Sequence, residues 1–184
     1  MPKSISKKTV YEGNFLRFVL ARYLDSSGIE REWECFERIN CEGIVVIVPV
    51  TRDREFLLIR QFRPPVNRYV IEFPAGLNDR GESLADAAKR ELLEETGYAA
   101  EQMIFLAEGP VSSGASGEIL TAFLAKEIEF KGIGNRDETE EIEVITVPFT
   151  ELNSRLSSLS AEGNAIDLKI YGLIELAKKR LRFE

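Results

Sequence analysis

The run IVVIVPV at residues 44–50 is the longest apolar stretch of the chain and the strongest single constraint on its fold. It is far short of the ~20 residues a membrane-spanning helix needs, and its length suits a strand buried on both faces. The segment TRDRE then turns the chain into a second strand at 56–61, and after RPPVNR the chain extends again through 69–73. The first clear helix is predicted over 83–96, with Ser83 as N-cap, Asp86 favoured by charge in the first turn and Gly97 as the left-handed terminator. Two more strands are expected near 103–107 and 119–128, then a polar loop and the strand IEVITVP. At the C-terminus Ile166, Ile170, Leu173, Ile174, Ala177 and Leu181 fall at helical spacing. Strands on both sides of an internal helix, with a helix at the end, predict an α/β sandwich on a mixed sheet.

Ahead of this body, the strand-like segments 15–24 and 30–39 are joined by DSSG and predict an antiparallel β-hairpin. The boundary is expected near 40–43, separating a hairpin region, 1–42, from the main domain, 43–184. With 184 residues, 44% apolar and 30% charged, the chain is expected to fold around one full core. A formal charge of -7 argues against a nucleic-acid partner, which needs clustered cations. The N-terminal stretch MPKSISKKTVYEG lacks the apolar region of a signal peptide, so no membrane and a cytoplasmic location are expected.

Cys35 and Cys41 are the only cysteines and there is no histidine. A four-ligand zinc site therefore fails on count. Acid–base or metal chemistry must fall to carboxylates, lysines and tyrosines, which points to a hard cation with oxygen ligands. The candidate is AGLNDRGESLADAAKRELLEETGY, residues 75–98. Glu91, Glu94 and Glu95 fall within an arc of about 100° on the helix, where like charges repel by a few tenths of a kcal/mol each. Leu84, Ala87 and Ala88 lie on the same arc, so the face begins apolar and ends acidic, as a covered face would. A magnesium or manganese ion would turn that repulsion into attraction.

Gly76, Glu82 and the run Arg90-Glu91-Leu92-Leu93-Glu94-Glu95-Thr96-Gly97 resemble the signature box of the Nudix hydrolases, which cleave nucleoside diphosphates linked to another moiety. Chance would reproduce the pattern in on the order of one window in 10^8. Tyr98 departs from it, where the family favours an aliphatic residue. The resemblance implies a Nudix-type α/β/α sandwich and metal ligands at Glu91 and Glu95. Glu94 would assist, the Ala75 carbonyl would complete the set, and Arg90 would orient a box glutamate such as Glu82.

The segment RQFRPPVNRYVIEFPAGL, residues 60–77, looks like that of ADP-ribose pyrophosphatases and related nucleoside diphosphate sugar hydrolases. Arg60 and Arg63 can be plain surface residues around a Pro-Pro turn; beside a diphosphate, Arg63 is favoured because it lies in the turn. Trp33 in REWECFER resembles the subgroup's base-stacking aromatic, and Phe15 takes the place of a second, although both can equally pack within the hairpin. The subgroup exchanges this hairpin across a homodimer, which would turn Glu34 and Arg38 toward substrate. Its water-activating base sits on the loop RDETEE, where alignment places Glu140, with Glu138 second. Ser113 stands where these pyrophosphatases commonly carry proline, while Gly114 and Glu118 match, and the resemblance implies a substrate contact for Glu118. The expectation is hydrolysis of ADP-ribose or a related nucleoside diphosphate sugar. Alternatives are GDP-mannose, a dinucleoside polyphosphate, or a non-catalytic nucleotide-sugar sensor.

Overall fold

The computed structural model describes residues 1–132 and 141–182. Three antiparallel strands, β1 (Lys3–Glu12), β2 (Leu16–Leu24) and β3 (Glu30–Arg38), make an N-terminal sheet in the order β1-β2-β3. The hairpin predicted from sequence is β2–β3. Its third strand escaped prediction because KSISKKTVYE is largely polar and exposed along its whole length, so backbone pairing to β2 rather than burial defines it.

The main body runs β4 (Gly43–Val50), β5 (Glu55–Arg63), a 3-10 turn at Pro64–Val66, β6 (Arg68–Glu72), β7 (Ala75–Asn78), α1 (Leu84–Thr96) and β8 (Tyr98–Ala99). It continues through β9 (Met103–Pro110), β10 (Ile119–Lys126), β11 (Glu129–Phe130), β12 (Ile142–Pro148), α2 (Leu152–Ala161), β13 (Ala165–Ile166) and α3 (Lys169–Arg182). The central sheet has the order β13-β6-β5-β4-β10-β9, with β12 paired to β5 and β7 to β4. It is mixed: β4–β10 and β6–β13 are parallel, the other pairs antiparallel.

β4 is the strand buried on both faces. Val45 and Ile47 pack with Ala87, Ala88 and Leu92 of α1, whereas Val46, Val48 and Val50 pack with Leu156 and Leu159 of α2 and Ile170 and Ile174 of α3. The two-residue period of a strand thus divides one apolar run between two layers of helix. Full burial of each such side chain contributes roughly 1.5–3 kcal/mol. Two sequence expectations shift here. α2 is hidden in a serine-rich stretch whose helical signal is Leu152, Leu156 and Leu159, and Ile166 belongs to β13 rather than to the terminal helix. Among the described residues no helix is long and apolar enough to cross a membrane.

Candidate active site

α1 begins and ends as its sequence requires. The Ser83 hydroxyl accepts from the Asp86 N–H at 3.1 Å, and Gly97 at φ 77° closes the helix with its N–H on the Leu93 carbonyl. A side chain at Gly97 would also meet the Gly132 carbonyl at 2.9 Å. Tyr98, the departure from the family pattern, stacks edge-on against Phe130 with ring centroids 5.3 Å apart.

The stretch Ala75–Asn78 reads as a loop by its Pro, Gly and Asn, yet it is strand β7, paired with residues 43–46 of β4. That pairing holds Gly76 against α1. A Cβ built on Gly76 would lie 1.9 Å from Cδ of Glu91, so only glycine admits this carboxylate. Glu95 is 5% exposed and accepts from the Ala75 N–H at 3.0 Å.

Arg90 gathers the remaining acids. Its Nε donates to Glu82 Oε1 at 2.8 Å, one terminal nitrogen to Glu91 Oε1 at 2.7 Å and Glu94 Oε2 at 3.0 Å, and the other to the Leu77 carbonyl at 2.9 Å. Burial works against the guanidinium charge, but the hydrogen bonds it donates to Glu82, Glu91 and Glu94 outweigh it and hold the pKa above the ordinary arginine value. The repulsion expected along the helix face is therefore offset by one cation. The Asn78 amide, donating to the Glu82 carbonyl at 2.8 Å, anchors the segment that carries Glu82.

This knot forms one wall of a cleft of about 810 Å³. Ala75, Arg90, Glu91, Glu94 and Glu95 all line it, and so do Phe15, Arg38, Arg63 and Glu118. Arg38 of β3 reaches Glu118 in an ion pair at 2.5 Å, which ties the N-terminal sheet to the start of β10. Arg63 Nε donates to Glu72 at 2.7 Å. Burial pushes the Glu72 carboxyl up from the usual range, with Arg63 opposing. Arg60 is engaged elsewhere: it stacks over Tyr69 at 3.7 Å and donates to Asn164 at 2.8 Å.

Trp33 and Glu34 are not brought into the lining of this cleft. The Trp33 indole donates to the Gly114 carbonyl at 2.9 Å, beside Ser113, and both residues are exposed. Glu138 and Glu140 lie outside the described residues. Three further lining residues, Glu72, Asp167 and Lys169, escaped the sequence reading. Glu72 sits in an apolar strand with its cationic partner nine positions away, and Asp167 and Lys169 reach the cleft only through the pairing of β13 with β6.

The donor set fits a hard divalent cation by its chemistry. Carboxylates and the Ala75 main chain line one cleft, and Gly76 leaves the space that Glu91 occupies. Among the described residues no three such side chains are arranged to share an ion; the Arg90 guanidinium stands among the oxygens of Glu82, Glu91 and Glu94.

The family model described as the NUDIX domain matches residues 42–169, well over half of the chain. The chain belongs to the NUDIX domain family. The mouse ADP-sugar pyrophosphatase is 34% identical over 90% of this chain and 83% of its own length. The ADP-ribose pyrophosphatase of Bacillus subtilis strain 168 is 31% identical over 79% of this chain and 77% of its own. The crystal structure of an ADP compounds hydrolase superposes with a TM-score of 0.79, covering 98% of this chain and 94% of that one at 24% identity, which shows the shared fold. Family and relatives together make this protein a Nudix pyrophosphatase.

Proposed function

We propose that this Nudix enzyme hydrolyses the diphosphate of ADP-ribose or a related nucleoside diphosphate sugar, giving a nucleoside monophosphate and a sugar phosphate. The observation that carries the reading is the acid knot over Gly76 opening into the same cleft as Arg38 and Arg63. The names of the two pyrophosphatase relatives support the substrate class.

Magnesium is the proposed cofactor, with manganese as a substitute, held by Glu91, Glu95 and the Ala75 carbonyl with Glu94 assisting. When bound, such an ion supplies charge neutralisation and Lewis-acid polarisation at the phosphoryl oxygens. The chain's own residues do the rest. Arg90 keeps Glu82, Glu91 and Glu94 in register, and Gly76 leaves the room that the Glu91 carboxylate needs beside the backbone. Arg63 offers a guanidinium to the phosphates, with Glu72 fixing its orientation. Glu140, or Glu138 in second place, is proposed to take the proton of the attacking water.

Residues 1–42 are assigned dimerisation and base stacking, with residues 43–184 as the hydrolase domain. In this reading Phe15 and Trp33 stack on the base, and Glu34, Arg38 and Glu118 contact the substrate. The exposed faces of Phe15 and Trp33 favour a homodimer in which one protomer's sheet completes its partner's cleft. Sedimentation should return twice the chain mass; a monomer at all concentrations would remove this part of the reading.

The test of the whole is a panel of nucleotide sugars with magnesium, coupled to a phosphatase that acts only on monoester products. ADP-ribose is expected to turn over. Cleavage of GDP-mannose or a dinucleoside polyphosphate in its place overturns the substrate, and no turnover of any compound leaves a sensor. Glu95→Gln keeps an acceptor for the Ala75 N–H, so it should fold normally yet lose on the order of 10²–10³ in metal-dependent turnover. Undiminished activity in that variant would remove Glu95 from the ligand set.

A further inference from the structure

The cleft has a second charged wall that the signature box does not supply, built at the junction of β13 and α3. β13 runs parallel to β6 with Ile166 opposite Ile71, and the Asp167 N–H donates to the Ile71 carbonyl at 3.0 Å. That bond draws Asp167 up beside the strand end that carries Glu72. The Asp167 side chain is only 14% exposed; one oxygen accepts from the Lys169 N–H at 2.8 Å and the other meets the Lys169 ammonium. Lys169 remains 40% exposed and lines the cleft together with Arg63 and Glu72. These groups sense one another: after burial and Arg63, the Asp167 charge works against ionisation of Glu72 and the Lys169 charge works for it.

The make-up of this wall decides what it can hold. Beyond Arg63, which faces the diphosphate, the Lys169 ammonium is balanced by the Asp167 carboxylate, so this pair has no net attraction for a further phosphate. It presents donors and acceptors side by side, the surface that neighbouring hydroxyls of a neutral sugar satisfy. Its place in the fold agrees. The wall lies at the β6–β13 edge of the sheet, Arg38 and Glu118 lie toward β10, and the acid knot on α1 and β7 stands between them against β4. A nucleoside diphosphate linked to a sugar has the same three-part order.

Resting on the function proposed above, we infer that Lys169 and Asp167, backed by Glu72, form the subsite for the non-nucleoside sugar, and that Lys169 is a specificity-determining residue. The test compares two substrates that share the ADP half: ADP-ribose and the β-methyl ester of ADP, which lacks the second sugar. Lys169→Met keeps the aliphatic stem and removes the ammonium. KM for ADP-ribose should rise about tenfold at nearly unchanged kcat, the loss expected for a hydrogen bond to a charged group, while the methyl ester shows no change. Asp167→Asn retains an acceptor for the Lys169 N–H, and should show the same split with an unchanged melting temperature. Equal losses on both esters would place these residues at the diphosphate or in the fold and overturn the subsite; no loss on either would overturn it too. If the wild-type enzyme cleaves neither ester, the proposed function falls and this inference with it.

Discussion

In α1 the residues Ala87, Ala88 and Leu92 are wholly buried and Glu95 nearly so, whereas every residue of β1 is exposed, and Phe15, Tyr11 and Trp33 show 79%, 70% and 51% of their surface. Both regions are regular secondary structure, and both carry charged side chains in quantity. Glu91 and Glu94 of α1 converge with Glu82 on the largely buried Arg90, and Glu91 abuts Gly76. In the N-terminal sheet the pairs are peripheral, as in Arg22 with Glu32 and Arg31 with Asp25, and pairs of that kind contribute little. The acid knot is thus built from the chain's own core, while Trp33, proposed to read the base, is presented outward on a sheet with little core beneath it. Geometry within the first region should tolerate almost nothing; the second should tolerate much more.

Gly76→Ala tests the first half of that contrast and carries the largest expected effect. The new methyl would fall on the Glu91 carboxylate, so turnover should drop on the order of 10²-fold or more from misplacement alone. Overpacking should cost about 1–3 kcal/mol in chemical denaturation. Wild-type kcat in this variant would mean that Glu91 is not held where the contact implies. Trp33→Ala probes the outward half: KM for the nucleotide should rise roughly tenfold, the worth of one aromatic stack, with kcat close to wild type. An equal fall in kcat would show that the loop bearing Gly114, which Trp33 grips, serves the chemistry as well.

The smallest effect is one of pH, and the N-terminal sheet and the β6 wall of the cleft should answer with opposite signs. Glu37 in β3 is held below its ordinary 4.5 by the hydrogen bond from Lys7, with burial opposing and Arg17 adding to Lys7. Its contribution to stability is therefore present above pH 4.5 and is lost as the pH falls through its lowered folded value. Glu72 is raised by burial, so its ionised form carries a cost at neutral pH that is relieved as the pH falls through its raised folded value toward 4.5. Urea titrations of Glu37→Gln and Glu72→Gln from pH 7 to pH 3 should show the Glu37 difference closing with acid and the ionisation cost at Glu72 disappearing. Parallel pH profiles for the two variants would contradict the contrast.

Local chemistry reached the sequence plainly. Ser83 and Gly97 mark α1 because a cap and a left-handed terminator are needs of the backbone itself, and IVVIVPV marks β4 because only two covering layers can satisfy it. β7 was obscured because the turn-forming residues that suggest a loop are there for a different reason: Gly76 makes room for Glu91 across the fold. β1 was obscured because its partner, not its pattern, makes it a strand. α2 was diluted by serines, which favour caps and turns over helix interiors.

By itself, then, the sequence determined the strand buried on both faces, the capped acidic helix and the Nudix box, since each is written in residues close together along the chain. Tertiary structure alone decided that one guanidinium would bind three glutamates, that Arg63 would face a buried Glu72, and that Asp167 and Lys169 would close the far side of the cleft. These depend on the register of β7 on β4 and of β13 on β6, set by packing between segments distant in sequence, and no local pattern of residues encodes them.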